Sequence, residues 1–141
     1  MSWSVQQLAA IFSRTSGLCH LCHGKLVLKN YGIHGARGAW HVEHSKPRAR
    51  GGTDHGNNLM PAHIACNLKK GTASTRSMRA ANGKRKKPMS FEERDRAQAR
   101  NIAVGAAGGA ALGAVAGGPP GALVGMLLGA AAGSQVAPSD E

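Results

Sequence analysis

Apolar positions first recur near the amino end. Val5, Leu8, Ala9 and Phe12 follow a spacing of three and four residues, and Ser4 precedes them as a cap. The pattern predicts a short helix from residue 2 or 4 to about residue 14. From residue 17 to about residue 67 the apolar runs shorten and are broken by Gly, His and Pro. Residues 26–28 (LVL) and 39–42 (AWHV) are the predicted strands there. A helix is predicted from residue 58 or 61 to about residue 70, ending before Gly71. Residues 72–88 show no apolar period and read as a polar, basic linker or arm. Residues 90–100 (SFEERDRAQAR) predict a charged helix, with Ser90 and Glu93 placed as a capping box.

The pattern then changes character. Between Ile102 and Val136 there is no charged residue, and glycine stands at every fourth position from Gly105 through Gly109, Gly113, Gly117, Gly121, Gly125 and Gly129 to Gly133. A four-residue repeat nearly matches the helical turn, so the glycines wind slowly along each helix and allow close backbone approach. Gly118, Pro119 and Pro120 interrupt the middle, which predicts two helices and a turn. The segment resembles glycine-zipper sequences, which form tightly packed helical hairpins, often in membranes. Three behaviours fit: a membrane-associated hairpin, a self-association module, or a flexible Ala/Gly tail. Each half is shorter than the roughly 20 residues that span a bilayer.

The 141 residues predict four zones: 1–75 a small domain with an amino-terminal helix, 76–101 a basic linker and charged helix, 102–136 the hairpin, and 137–141 a polar tail. All eighteen Lys and Arg lie at or before Arg100. Set against five of the seven acids, they give the first hundred residues a net charge of +13, and the remainder −2. Such a domain favours a polyanion, and DNA is the expected partner. No small-molecule organic cofactor is implied. Lys46, Arg48, Arg50, Lys69 and Lys70 flank the histidine-rich window, and Lys84, Arg85, Lys86 and Lys87 form the arm; all are expected to meet phosphates. No secretory leader is visible, and the cysteines sit beside histidines, which favours a reducing, cytoplasmic setting, with membrane association through residues 102–136.

Large apolar side chains are few, and such a small core often needs a staple. Cys19 and Cys22 form a CxxC knuckle, and His63 and Cys66 repeat the spacing downstream. Together they supply four N or S ligands, the set that tetrahedral zinc takes; His20 and His23 compete from beside the first knuckle. Four protein ligands leave no open position for water, so this zinc is expected to be structural. The chemistry then falls to the window after Trp40. Hydrolysis of a phosphodiester needs a base, a cation and groups that hold both in line. His44 can be the base, because imidazole titrates near neutrality. Glu43 and Asn67 can hold a divalent cation, and Asn58 can fix the loop that carries His44.

The run Val42-Glu43-His44, Pro47, Gly51-Gly52, Asn58-Leu59, Cys66-Asn67 and Lys70-Gly71, together with the Cys19–Cys22 knuckle, resembles the HNH endonucleases, the ββα-metal nucleases. The resemblance covers residues 18–71. It implies an α+β class: a small zinc-stapled, treble-clef-like domain with a two-stranded hairpin and a helix gripping one ion. A basic linker and the Ala/Gly-rich helical hairpin would follow. It implies that His44 activates water, that Asn58 orients it, and that Glu43 and Asn67 hold a catalytic divalent ion, whether magnesium, manganese, nickel or zinc. Members often carry Asp or His at the place of Glu43 and His at that of Asn67, so a different metal preference or a low activity would follow. The expected function is a metal-dependent DNA endonuclease. The alternative is a non-catalytic zinc-containing nucleic-acid-binding module, tethered to a membrane or oligomer by its tail.

Overall fold

In a computed structural model, which describes residues 3–137, the chain divides into two compact units. One comprises the described residues up to Phe91, and the other begins at Glu92.

The first unit opens with α1 (Val5–Ser13). Its capping box is complete: the Ser4 hydroxyl accepts from the Gln7 amide, and the Gln7 side chain accepts from the Ser4 amide. Ile11 from this helix is buried with Leu21, Leu26, Trp40, Leu59, Ala62 and Met78. Trp40 is the centre of that core. It is fully buried, stacks against Phe12 at 5.5 Å and Tyr31 at 5.0 Å, and donates from Nε1 to the Leu28 carbonyl at 3.2 Å.

β1 (Trp40–His44) pairs antiparallel with β2 (Leu59–His63), in a register that sets Trp40 against His63, Val42 against Pro61 and His44 against Leu59. α2 (Ile64–Lys70) follows directly. Strand, strand and helix are thus the order that the motif implied, but two boundaries differ from the pattern reading. Residues 26–28 are no strand: the chain there makes one isolated bridge, Leu18 to Lys25, and then turns through Leu28–Asn30. Residues 59–63 are a strand and not the start of a helix. Pro61 is tolerated because a two-stranded sheet leaves its outer edge free of ladder partners, and there the Pro61 carbonyl accepts from the His20 amide at 3.0 Å.

The basic stretch after Gly71 is also ordered. α3 (Thr75–Ala81) is capped by the Ser74 hydroxyl on the Ser77 amide, and it buries Met78 in the core. The arm beyond it returns to the domain: His23 Nε2 lies 3.1 Å from the Lys86 carbonyl, Ser16 donates to the Met89 carbonyl at 2.8 Å, and Pro88 is fully buried. What composition presents as a linker therefore packs, as far as Phe91, on the first unit.

From Glu92 onward the second unit consists of the helical segment α4 (Phe91–Gln135), which doubles back at Gly118. Gly118 adopts φ +62°, the left-handed conformation that ends a helix, and Pro119 and Pro120 restart it. The two arms meet glycine to glycine. A Cβ on Gly109 would lie 1.9 Å from the Gly125 carbonyl oxygen, and one on Gly113 would lie 2.0 Å from that of Gly121. Gly105 and Gly129 meet in the same way. Gln98 ties the open end to the Ser134 carbonyl at 2.7 Å. Large apolar side chains point away from this seam, with Leu112, Val115, Leu123 and Leu127 exposed. Among the described residues, no helix is long and apolar enough to cross a membrane. The predicted polar tail lies, beyond residue 137, outside the described residues.

Candidate metal cluster and active-site strand

The knuckle residues converge. Cys19 and Cys22 lie on the turn closed by the Cys19 amide on Gly24, His63 ends β2, and Cys66 lies on the first turn of α2. One ligand atom from each falls within 4.8 Å of all the others. Cys22 Sγ is 3.4 Å from His63 Nδ1, and Cys19 Sγ accepts from the His63 amide at 3.4 Å. The thiols titrate against one another. Cys22 and then Cys66 hold Cys19 far below the usual thiol range, against burial, while Cys19 and then Cys22 push Cys66 far above it. A cation among them would let all three sulfurs be thiolates together, so the donor set fits a metal ion that fastens β2 and α2 to the knuckle. His20 does not compete. It is fully buried and turned toward Glu43.

Consecutive residues of β1 point to opposite faces, and this separates Glu43 from His44. Glu43 is only 2 % exposed. Its Oε1 lies 2.7 Å from the Lys70 ammonium and its Oε2 lies 2.6 Å from His20 Nε2; the second contact is an ion pair whose angle falls short of a hydrogen bond. Burial pushes the Glu43 carboxyl up, but His20 and then Lys70 outweigh it and the net shift is downward. Arg79 on α3 completes the group, donating to the His20 carbonyl at 2.7 Å and lying 3.1 Å from His20 Nδ1.

Two sequence assignments change accordingly. Lys70 is not free to meet a phosphate: it is 3 % exposed and donates also to the His44 carbonyl at 3.2 Å. Glu43 does not fit a catalytic divalent ion in this arrangement. Its oxygens are taken up in the interior, one by the Lys70 ammonium and one by the His20 imidazole, whereas a hard cation needs several oxygen ligands and room for water. Asn67 is half-buried on α2.

His44 lies on the open side. Its side chain is 18 % exposed, and Nε2 is 2.7 Å from Asp54 Oδ1 and 3.2 Å from Arg48 Nε. Arg48 also pairs with Asp54. His44 and then Arg48 hold the Asp54 carboxyl below its usual range. The backbone after His44 is fastened at each polar group. Ser45 donates to the Asn58 carbonyl at 2.9 Å, Thr75 donates to the Ser45 carbonyl at 2.9 Å, and the Lys46 amide donates to Asn58 Oδ1 at 2.7 Å. Asn58 Nδ2 donates to the carbonyls of Lys46 and Thr53 at 3.1 and 2.8 Å. Asn58 thus bridges Lys46 and Thr53 in the loop that follows His44. Lys46, Arg48, Arg50 and Lys69 are exposed. His41 faces His34 at 5.4 Å and Tyr31 at 6.0 Å, and His55 caps the turn Gly56–Asn58.

Sequence reasoning missed Asp54, Lys70 as an interior cation, His20 as a partner of Glu43, and Arg79. Only Asp54 carried a signal, since it follows Gly51-Gly52 in a loop that must return to the strand.

A two-stranded hairpin and helix, stapled by a Cys/His cluster with a histidine at the strand's end, defines a small metal-stapled α+β class. Residues 19–73 match the model of the HNH endonuclease family. No curated protein and no solved structure matches the chain.

Proposed function

We propose that this protein is an endonuclease that hydrolyses DNA phosphodiester bonds, with His44 as the general base and zinc as the ion of the Cys19, Cys22, His63 and Cys66 cluster. The observation that carries the reading is the state of His44: partly exposed, backed by a carboxylate, and carried on a backbone that Asn58, Thr75 and Lys70 hold still. A nucleic-acid-binding module has no use for an imidazole fixed in this way. A base that must take a proton from water at one position does.

The chain's own residues divide the work. His44 takes the proton of the attacking water. Arg48, Lys46, Arg50 and Lys69 place positive charge beside the phosphate, and the cations at Lys84–Lys87 extend the electrostatic track away from the site. Asn58 keeps the base in line. Zinc suits the cluster because three thiolates and an imidazole are soft and intermediate donors in a closed set. The reaction also calls for a cation at the developing charge. Glu43 is committed to Lys70 and His20 in this arrangement.

The test is nicking of supercoiled plasmid by zinc-loaded protein, with magnesium, manganese or nickel titrated in turn. Conversion to open circles and linear DNA that saturates with protein is the expected result. Tight DNA binding without conversion under any ion overturns the endonuclease reading in favour of the binding module.

For the hairpin we propose self-association through its outer face. Glycine fills the seam and Leu112, Val115, Leu123 and Leu127 face outward, which is the reverse of a helix pair built for water.

A further inference from the structure

The loop after His44 is shaped to bring Asp54, the carboxylate behind the base, back to the strand end. Gly51 takes φ +76°, which suits glycine. Gly52 packs so tightly that a Cβ would lie 1.8 Å from the Lys46 carbonyl oxygen, and its amide donates to the Pro47 carbonyl at 3.0 Å. Asn58 then bridges Lys46 and Thr53 with a single amide group. Each of these features folds residues 47–53 back onto the strand end. Their common result is that Asp54, the next residue, meets His44 Nε2 at 2.7 Å.

We propose that Asp54 is the positioning residue for His44: it holds the imidazole as the Nε2–H tautomer and thereby leaves Nδ1 as the atom that takes the proton from water. This rests on the reading of His44 as the base. The chemistry is that of an ionised carboxylate, which only accepts hydrogen bonds. Asp54 is kept ionised by Arg48 and His44, so the shorter contact assigns the Nε2 proton to the histidine. Arg48 Nε also aims its hydrogen at Nε2 and competes with Asp54 for that nitrogen; the carboxylate contact is the shorter, 2.7 Å against 3.2 Å, and because a carboxylate can only accept, it requires the proton on Nε2. Among the described residues no hydrogen bond occupies Nδ1. Once Nδ1 takes the proton, the imidazolium that forms is stabilised by the carboxylate behind it, and the proton on Nε2 stays in place. A fixed tautomer matters to rate, and losing the group that fixes it lowers kcat by about 10- to 10⁴-fold, with an exposed acid at the lower end of that range.

Three measurements on the zinc-loaded full chain decide it. Long-range ¹⁵N–¹H spectra of the wild type should show His44 as the Nε2–H tautomer at neutral pH, and the Nδ1–H form overturns the proposal whatever any variant does. Asp54→Ala should lower kcat by about 10- to 100-fold at unchanged KM, zinc content and melting temperature, and should turn His44 into a tautomer mixture. Asp54→Glu should recover part of the rate. If Asp54→Ala keeps full kcat while His44→Ala is inactive, Asp54 has no positioning role and His44 is still the base. If His44→Ala itself is fully active, the underlying reading fails and this inference falls with it.

Discussion

Neighbouring residues of one strand, Glu43 and His44, have opposite surroundings. On the Glu43 side, a carboxylate, two cationic side chains and an imidazole satisfy one another away from water. On the His44 side, the same residue types face solvent and are held by backbone hydrogen bonds. The difference shows that in a core this small, charge can serve as structure. Lys70 links the two sides, since it neutralises Glu43 and also holds the His44 carbonyl. The closed side sets the position of the open one.

The largest effect should come from removing the metal that anchors both sides. A structural zinc is coupled to folding. The wild type should hold about one zinc per chain, and its removal should abolish cooperative unfolding; calorimetry of the zinc-free protein showing an unchanged melting transition would contradict this.

Breaking the closed side comes next. Lys70→Met leaves Glu43 short of its closest cation, and a buried ion pair stripped of one partner typically costs about 3–5 kcal/mol. Chemical denaturation should register that loss. Glu43→Gln combined with Lys70→Met should recover much of it, because the stranded charge is then gone. If Lys70→Met is as stable as wild type, the pair does not hold the strand.

A smaller effect is expected from the arm. Replacing Lys84, Arg85, Lys86 and Lys87 by Ala should weaken binding of all DNA sequences and lower the slope of log affinity against log salt by roughly 3 to 4. An unaltered slope would show that the arm does not reach phosphate.

The smallest effect on chemistry should follow loss of the second unit. A chain ending at Arg100 should cleave at the rate of the full chain, since every residue of the site precedes it. It should also elute as a monomer in light scattering where the full chain is oligomeric. Equal size for both would sink the proposal for the hairpin's outer face.

Much of this arrangement was legible in the sequence. The Ser4 cap, the four cluster residues and the turn at Gly118 each depend on local chemistry or fixed spacing. The rest depends on tertiary context. Residues 59–63 contain a proline and lead into a helix, and only pairing with β1 makes them a strand. α3 carries Arg76 and Arg79 and resembles an arm until Met78 is buried. Whether Glu43 faces a metal or an ammonium, and whether Lys70 faces phosphate or the interior, is decided by which side of β1 is covered. That depends on contacts 27 residues apart in sequence for Glu43 and Lys70, and 23 for Glu43 and His20. Asp54 reaches His44 only through the loop geometry that the glycines permit.

The most direct test is the single-turnover cleavage rate of zinc-loaded His44→Ala against wild type, on one plasmid, with folding and DNA affinity checked in parallel. The account predicts a folded protein that binds DNA normally and cleaves it about 10²–10⁴-fold more slowly. Cleavage at the wild-type rate by the folded variant would contradict it.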